Sequence, residues 1–375
     1  MSNLYPRLLI ALLAAPVIAL LLAPPAAAEP ALDFSALIAA ARVKGPLDYC
    51  GERVPLEDPD VRERMEREML SVLADPHQVI LWIKRSRQTL APIEAALRAH
   101  GLPPDLKYVA VAESSLRPHA GSSKGAMGYW QFIEPTGRKY GLRVDSEKDE
   151  RRSLFASTEA ALAYLKELRQ IFGSWTLAVA AYNMGENGLR SDIIQQNVRD
   201  YYRLYLPLET QRYVFRILAA KLILEHPERY GFRLEPEDIY PPTPFERIAL
   251  DTVRETPVLA IAQAANTDVK MIKDLNPDIR GFRLAPGRHH LLIPKSAGDG
   301  FHDRLSQRMA QAEAQSREIS YLVKEGDTLS GIAVQHGVTV SDVRSWNRLD
   351  PKRQIQPGMR LILRVRAENP GPAIP

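Results

Sequence analysis

The chain of 375 residues is poor in cysteine, in unbalanced charge and in long apolar runs. Its single cysteine, Cys50, excludes an intrachain disulfide framework and a zinc site built from several thiolates. Lys and Arg number 49 against 45 Asp and Glu, a net charge of +4 with no basic stripe to concentrate it. So mild a field excludes nucleic acid as an expected partner. The helical part of the chain has no dense Asp, Glu and His cluster for a tight divalent site. His100 and His119 stand alone and read as surface residues. Disorder is excluded too, because 45% hydrophobic and 25% charged residues are ordinary globular usage. The length allows two or three domains. Proline, by contrast, is abundant at 29 residues, about 8% of the chain against a background of about 5%.

The one long apolar run spans residues 8–23 and is broken by Pro16. Arg7 precedes it, and Pro24-Pro25 and Ala26-Ala27-Ala28 follow. This is the layout of a secretory signal cut near Ala28. An uncleaved anchor is the alternative, because the run approaches the ~20 residues of a membrane span. A lipid-anchored form would need a cysteine directly after the run. Cys50 lies far downstream in Leu47-Asp48-Tyr49-Cys50, and reads as a free, partly buried thiol.

Helical periodicity fills the next stretch. Val61, Met65, Met69 and Val72 share one face of a helix over 60–73, and 79–99 repeats the spacing. Gly101 to Pro104 breaks the chain, and Asp105 is placed to cap a new helix. Further helices are expected over 157–172, 175–184, 191–206 and 209–224. Proline then marks a seam at 236–244, a stiff extended connector. Beyond it two segments resemble each other. Ile261, Ala262, Val269, Ile272, Leu275 and Asn276 recur as Ile332, Ala333, Val340, Val343, Trp346 and Asn347, all offset by 71 residues. Each copy reads strand, helix, helix, strand, with Pro-Gly before the last strand.

The candidate chemistry lies in the helical part. Leu106, Val109, Ala110 and Glu113 fall at i, i+3, i+4 and i+7, so Glu113 continues an apolar helix face. Burial and the negative helix C-terminus would raise its pKa, as a general acid near neutrality requires. A glutamate turned to solvent at a fraying helix end fits the same spacing. Residues 121–132 hold three glycines with Met127, Tyr129, Trp130 and Gln131. Flat apolar groups beside an amide suit sugars, although a plain loop with a core tryptophan also fits. No Gly-Lys-Ser/Thr follows, so it is not a phosphate loop. Tyr182 and Asn183 end an apolar helix before Gly185, where capping and core packing are the plainer reading. Tyr213 lies one turn from Glu209, which alone signals only a helix start.

Together these pieces resemble the lysozyme-like catalytic domain of family 1 soluble-type lytic transglycosylases. The match covers about residues 95–225. It rests on Glu113-Ser114, on Gly125-Ala126-Met127-Gly128 with Gln131-Phe132, on Ala181-Tyr182-Asn183 with Gly185, and on Glu209-Thr210 with Tyr213. The two C-terminal copies resemble LysM modules, which bind N-acetylglucosamine-containing glycans. The second carries Gly326-Asp327-Thr328-Leu329, Asn347 and Pro357-Gly358 in place. The first has Arg254-Glu255-Thr256-Pro257 instead and is degenerate.

The expected fold is therefore a mainly α, lysozyme-like domain followed by two small α+β (βααβ) modules. The boundaries are a signal at 1–28, an N-terminal extension at 29–58, the catalytic domain at 59–235 and a proline-rich linker at 236–245. The degenerate module follows at 246–296, a linker helix at 297–318, the second module at 319–366 and a tail at 367–375. The resemblance implies non-hydrolytic cleavage of peptidoglycan with Glu113 as acid and base. It implies that Ser114 orients Glu113, and that Met127, Gln131, Tyr182, Asn183 and Tyr213 hold the sugar. Glycan binding falls to Gly326, Asp327, Thr328, Leu329, Asn347 and Pro357. No metal or cofactor is required. Peptidoglycan strands are the expected partner in the periplasm or cell envelope, with membrane association left open. A hydrolytic muramidase would use a second carboxylate, and Asp145, Glu147 and Asp149 are the candidates, in a stretch that reads as solvated surface. A non-catalytic LysM wall-binding protein is the remaining alternative.

Overall fold

The structure, a computed structural model, describes residues 34–350 and 354–366. The expected signal at 1–28 and tail at 367–375 lie outside the described residues.

Short polar residues set the helix starts. After α1 (Phe34–Ala41) and the small hairpin of β1 (Asp48–Tyr49) and β2 (Glu52–Arg53), α2 spans Pro59–Leu73, with Asp58 accepting from the Asp60 N–H. α3 (Pro76–Ala99) starts on Asp75 in the same way, and both helices carry proline in the first turn. α4 (Lys107–Ser114) and α5 (Glu134–Lys139) follow. Ser153 caps α6 (Leu154–Phe172), Gly173 ends it in the left-handed region, and Ser174 caps α7 (Trp175–Met184). α8 (Glu186–Gln196) and α9 (Leu208–Glu225) complete the helical part.

α9 and α7 are buried on nearly every side, so they form the centre of this core. α4 packs on α3 and α9. Val109, Ala110, Val214, Ile217 and Ala180 close around it, all out of reach of solvent. This places the last turn of α4 inside the domain.

Two helical expectations change. The helix expected over 191–206 begins earlier, directly after Gly185, and stops where Asn197 takes a left-handed conformation. Tyr201–Arg203 is a separate 3-10 turn whose start is capped by Asp200. Asp105 does not cap α4. Its carboxylate instead accepts from Lys221 Nζ at 2.8 Å and from the Cys50 N–H at 2.9 Å. A buried carboxylate is stabilised better by a cation and an amide than by a helix end that a 3-10 turn already closes. The Cys50 thiol is free, and burial pushes its pKa up, which makes it unreactive.

The 236–245 connector is not free-standing. It opens with a 3-10 turn at Pro236–Asp238, and the Tyr240 N–H donates to the Lys84 carbonyl on α3 at 3.2 Å. Gln88 donates to the Pro241 carbonyl.

Beyond it, β3 (Phe245–Thr252), β4 (Thr256–Pro257), α10 (Val258–Ala264), α11 (Val269–Leu275), β5 (Arg283–Leu284) and β6 (Gly287–Pro294) form the first module. β3 pairs with β6 antiparallel, Phe245 opposite Pro294. α12 (Phe301–Ala314) was expected to be a polar linker. It packs on α10 and buries Phe301 and Leu305 in the module core. The second module repeats the order as β7 (Ser316–Leu322), α13 (Leu329–Gln335), α14 (Val340–Trp346) and β8 (Arg360–Arg366), with β7 and β8 antiparallel.

One amide braces both modules. Asn276 donates to the Ile272 and Leu292 carbonyls and accepts from the Leu292 N–H, at 2.7–2.8 Å. Asn347 makes the same set with Val343 and Ile362. This joins the second helix to the last strand in each copy. Asn347→Ala is expected to lower the stability of the second module by about 1 kcal/mol, since it removes the bonds to the Ile362 carbonyl and N–H while the Val343 carbonyl keeps the backbone N–H of residue 347. Amide hydrogen exchange of β7 and β8, faster in the variant with the helical domain unchanged, checks this.

Candidate active site

Glu113 sits on the last turn of α4, and Ser115 and Leu116, both at positive φ, turn the chain away after it. The apolar face of α4 carries its carboxyl into the domain, where burial raises the pKa to about 7. A hydrogen bond from Tyr213 and the charge of Arg216 oppose that shift, while the charge of Glu209 adds to it. α9 supplies all three. The Tyr213 hydroxyl donates to Glu113 Oε1, from a side chain only 1% exposed. Burial and the carboxyl beside it raise the Tyr213 phenol well above its usual range, so it stays a donor. Arg216 pairs with Glu209 at 2.9 Å, a contact that holds Glu209 below the usual carboxylate range. A carboxyl poised near pH 7 can both give and take a proton.

The 121–132 loop lies against α7, tied to it through Tyr182. Isolated antiparallel bridges join Gly121 to Met127 and Met127 to Phe132. Gly128 is at φ +85°, and a Cβ there would stand 1.7 Å from the Arg151 carbonyl oxygen, so only glycine fits. Gln131, also at positive φ, donates its amide to the Ala120 and Gly128 carbonyls at 2.9 and 2.8 Å. Arg151 ties the loop from behind. Its Nη1 donates to the Gly125 and Phe132 carbonyls at 3.0 and 3.1 Å, while Asp149 accepts two further bonds from it at 2.8 and 2.9 Å.

The loop and the helices meet at Tyr182. Its hydroxyl donates to the Trp130 carbonyl at 2.7 Å, and its ring packs between Phe132 and Tyr164. Burial pushes this phenol far up, and the Glu113 charge adds to the effect, which places the two groups within reach of each other's field. Asn183 Oδ1 accepts from Thr210 Oγ1 at 2.9 Å, which pins the end of α7 to the start of α9.

Glu113, Tyr213 and Tyr182 thus come from three helices into one region, with Asn183 next to Tyr182 at the end of α7, and Gln131 and Met127 lie on the loop that Tyr182 holds through the Trp130 carbonyl. Ser114 does not join them. Its hydroxyl donates to the Ala110 carbonyl at 3.0 Å and is buried, turned away from the Glu113 carboxyl. Trp130 is a core residue, fully buried with its indole N–H on Thr158. Tyr213 was expected against the sugar, and its hydroxyl lies on Glu113. Sequence reasoning did not find Arg151 or Arg216. Arg151, buried in a run of charges, carries no local signal beyond Gly128, the one trace of a close backbone approach, and Arg216 acts through a pair with Glu209 that looks like any helix-surface pair.

The stretch 143–151 is not solvated surface. Lys148 and Asp149 are buried at 6% and 1% exposure. Asp149 is taken up by Arg151, and Asp145 by Arg143, which holds it below the usual carboxylate range. In the second module Asp327 accepts from Tyr321 and the Lys324 N–H, Thr328 caps α13 and Leu329 is in the core. Gly326 and Pro357 are exposed at the two turns.

These elements define a helical domain with a glutamate whose pKa burial raises to about 7, followed by βααβ modules. Comparison with known families agrees: residues 91–204 match the transglycosylase SLT domain and residues 321–364 match the LysM domain. Over 289 residues the chain is 35% identical to membrane-bound lytic murein transglycosylase D of Escherichia coli K12, and equally to that of Escherichia coli O6:H1. The matched segment is 72% of this chain, and the chain spans 62% of the length of those relatives. A putative tributyltin chloride resistance protein of an Alteromonas species is 32% identical over 110 residues, 28% of this chain and 53% of that protein. The 70 kDa soluble lytic transglycosylase of Escherichia coli aligns over 44% of this chain and 29% of its own, at 20% identity and TM-score 0.34, which carries no argument.

The raised pKa of Glu113 has a consequence for stability. Between the ordinary 4.5 and about 7 the folded chain holds a proton that the unfolded chain releases. The stabilisation is complete below pH 4.5 and is lost as pH rises through 7. Glu113→Gln should therefore be near-neutral at pH 4 and stabilising above pH 7, on the order of 3 kcal/mol. Urea unfolding at the two pH values checks the sign.

Proposed function

We propose that this protein cleaves the β-1,4 bond between N-acetylmuramic acid and N-acetylglucosamine in peptidoglycan without water, leaving a 1,6-anhydro end. The observation that carries the reading is the Glu113 carboxyl, which burial holds near pH 7 beside a neutral phenol, with the one carboxylate that acts on it, Glu209, tied to Arg216. The match to the SLT domain supports it, as do relatives named murein transglycosylases.

Glu113 starts protonated. Tyr213 donates to Oε1, which leaves Oε2 to carry the acidic proton. That proton passes to the glycosidic oxygen as its bond to the muramyl C1 breaks, and an oxocarbenium-like centre forms. The substrate's own acetamido group stabilises the centre in place of a second carboxylate. The muramyl C6 hydroxyl then attacks C1 and gives its proton to Glu113, which restores the acid. No water is consumed. Tyr213 stabilises the ionised Glu113 between the two transfers, the half of the cycle in which a buried charge costs most. Met127, Gln131, Tyr182 and Asn183 line the sugar side, and Ser114 acts only by packing α4.

The second module holds glycan through the turn at 326–329 and the surface around Asn347 and Pro357. Asp327, Thr328 and Asn347 shape these two places, so contact falls to the turn backbone with Gly326 and Pro357. Substrate of this kind places the protein in the cell envelope, and the apolar segment at 8–23 fits export or membrane association.

Mass spectrometry of digested murein sacculi should reveal anhydro-muropeptides. New reducing ends would make the enzyme a hydrolase, and no release a binding protein. Glu113→Gln should abolish release, by 10³-fold or about that, while sacculus pull-down is unchanged; retained cleavage would sink the mechanism. Activity should fall as pH rises through about 7. Tyr213→Phe removes a bond to the ionised form, so that limb should move to higher pH in a rate profile as the maximal rate drops.

A further inference from the structure

The first module lacks the Gly-Asp-Thr-Leu turn of the second, and its equivalent surfaces are occupied from within the chain. By the 71-residue offset, the surfaces proposed to hold glycan in the second module correspond to 255–258 and 276–286. The latter docks on the helical domain. Lys148 and Ile279 form an antiparallel bridge. The Asp149 N–H donates to the Asp278 carbonyl at 2.8 Å, and the Arg280 N–H donates to the Glu147 carbonyl at 2.8 Å. Arg280 Nη1 also donates to the Asp145 carbonyl at 2.9 Å. Beneath this ladder, Lys148 Nζ lies 3.1 Å from Asp278 and 3.0 Å from Glu150. The other turn faces the second module, where Ser345 donates to Glu255 at 2.9 Å, and Arg283, paired across from Pro257, bonds Asp342 there too.

The segment gripped at this seam is the one that ties down the 121–132 loop. Asp149 orients Arg151, Arg151 holds the loop at Gly125 and Phe132, and the Arg151 carbonyl lies against Gly128. The loop continues to the Glu113 site through the Trp130 carbonyl and Tyr182.

We propose that the first module is a strut and not a glycan-binding unit: its 277–280 turn positions the 121–132 loop through Lys148, Asp149 and Arg151. Lys148 and Asp278 are then positioning residues for the cleavage reaction. The inference rests on the proposed function only for its effect on rate. Its structural part stands independently of substrate.

Full-length protein is compared with Lys148→Met, Lys148→Arg and Asp278→Asn. The seam encloses a cavity of about 450 Å³ with Lys148 in its wall, which leaves room for a guanidinium. Amide hydrogen exchange should rise in 121–132 and 143–151 in Lys148→Met and Asp278→Asn, with α2, α7 and α9 unchanged, and should stay at the wild-type level in Lys148→Arg. Murein cleavage should drop about 10-fold or more in the first two variants and return in Lys148→Arg. Binding to sacculi should be unaffected in all three. Unchanged exchange in 121–132, or a uniform rise over all helices, would overturn the proposal, as would equal loss of activity in Lys148→Arg and Lys148→Met. If Lys148→Met does not fold, Asp278→Asn carries the exchange test, because the isosteric amide preserves the backbone ladder. If wild-type protein cleaves no murein, the exchange result still decides the strut, and only the functional reading falls.

Discussion

The burial of one carboxyl beside one phenol constrains the rest of this structure. Glu113 is acidic only because α4 drives it into an apolar core, and the cost of ionising it there is limited by Tyr213. Neither group can do this from the surface. α4 is therefore short and enclosed, and α9 crosses it so that residues 100 positions apart in sequence share a hydrogen bond. Glu209 and Arg216, about one turn before and after Tyr213 on α9, pair with each other and act in opposite directions on Glu113.

Around that centre the polar residues work mostly on the backbone. Gln131 closes its own loop, Asn183 joins α7 to α9 through Thr210, and Asn276 and Asn347 each lock a module. Such side chains satisfy carbonyls and amides that an irregular segment would otherwise bury alone. Shape at the site is thus set by hydrogen bonds that substrate need not touch. The seam at Lys148 and Asp278 extends the same logic between units, with an ion pair under a short backbone ladder.

Much of the helical fold was legible from spacing. Val61, Met65 and Met69 on α2 all face the core, and the 71-residue repeat appears as two copies of the same βααβ pairing. The errors share one cause. Asp105, Ser114, Lys148 and Asp149 are polar residues whose local context suggested a cap, a carboxylate partner or a wet surface. Asp105 and Lys148 are buried against groups more than 100 residues away, while Ser114 and Asp149 are buried on partners in their own segment. The polar linker helix α12 fails in the same way, because Phe301 and Leu305 are too few to reveal an apolar face before the surface that covers them is known.

By itself the sequence determined the periodic faces, the proline seam, the repeated module and the one glutamate placed on an apolar helix stripe. These depend on neighbours within a few residues, where helix and strand geometry dictates which side chains share a side. Tertiary structure alone decided that Tyr213 meets Glu113, that Arg151 holds the loop and that the first module is joined to the helical domain. Those contacts pair groups 19 to 135 residues apart, and a buried charge finds its partner only when the elements that carry the two have closed together.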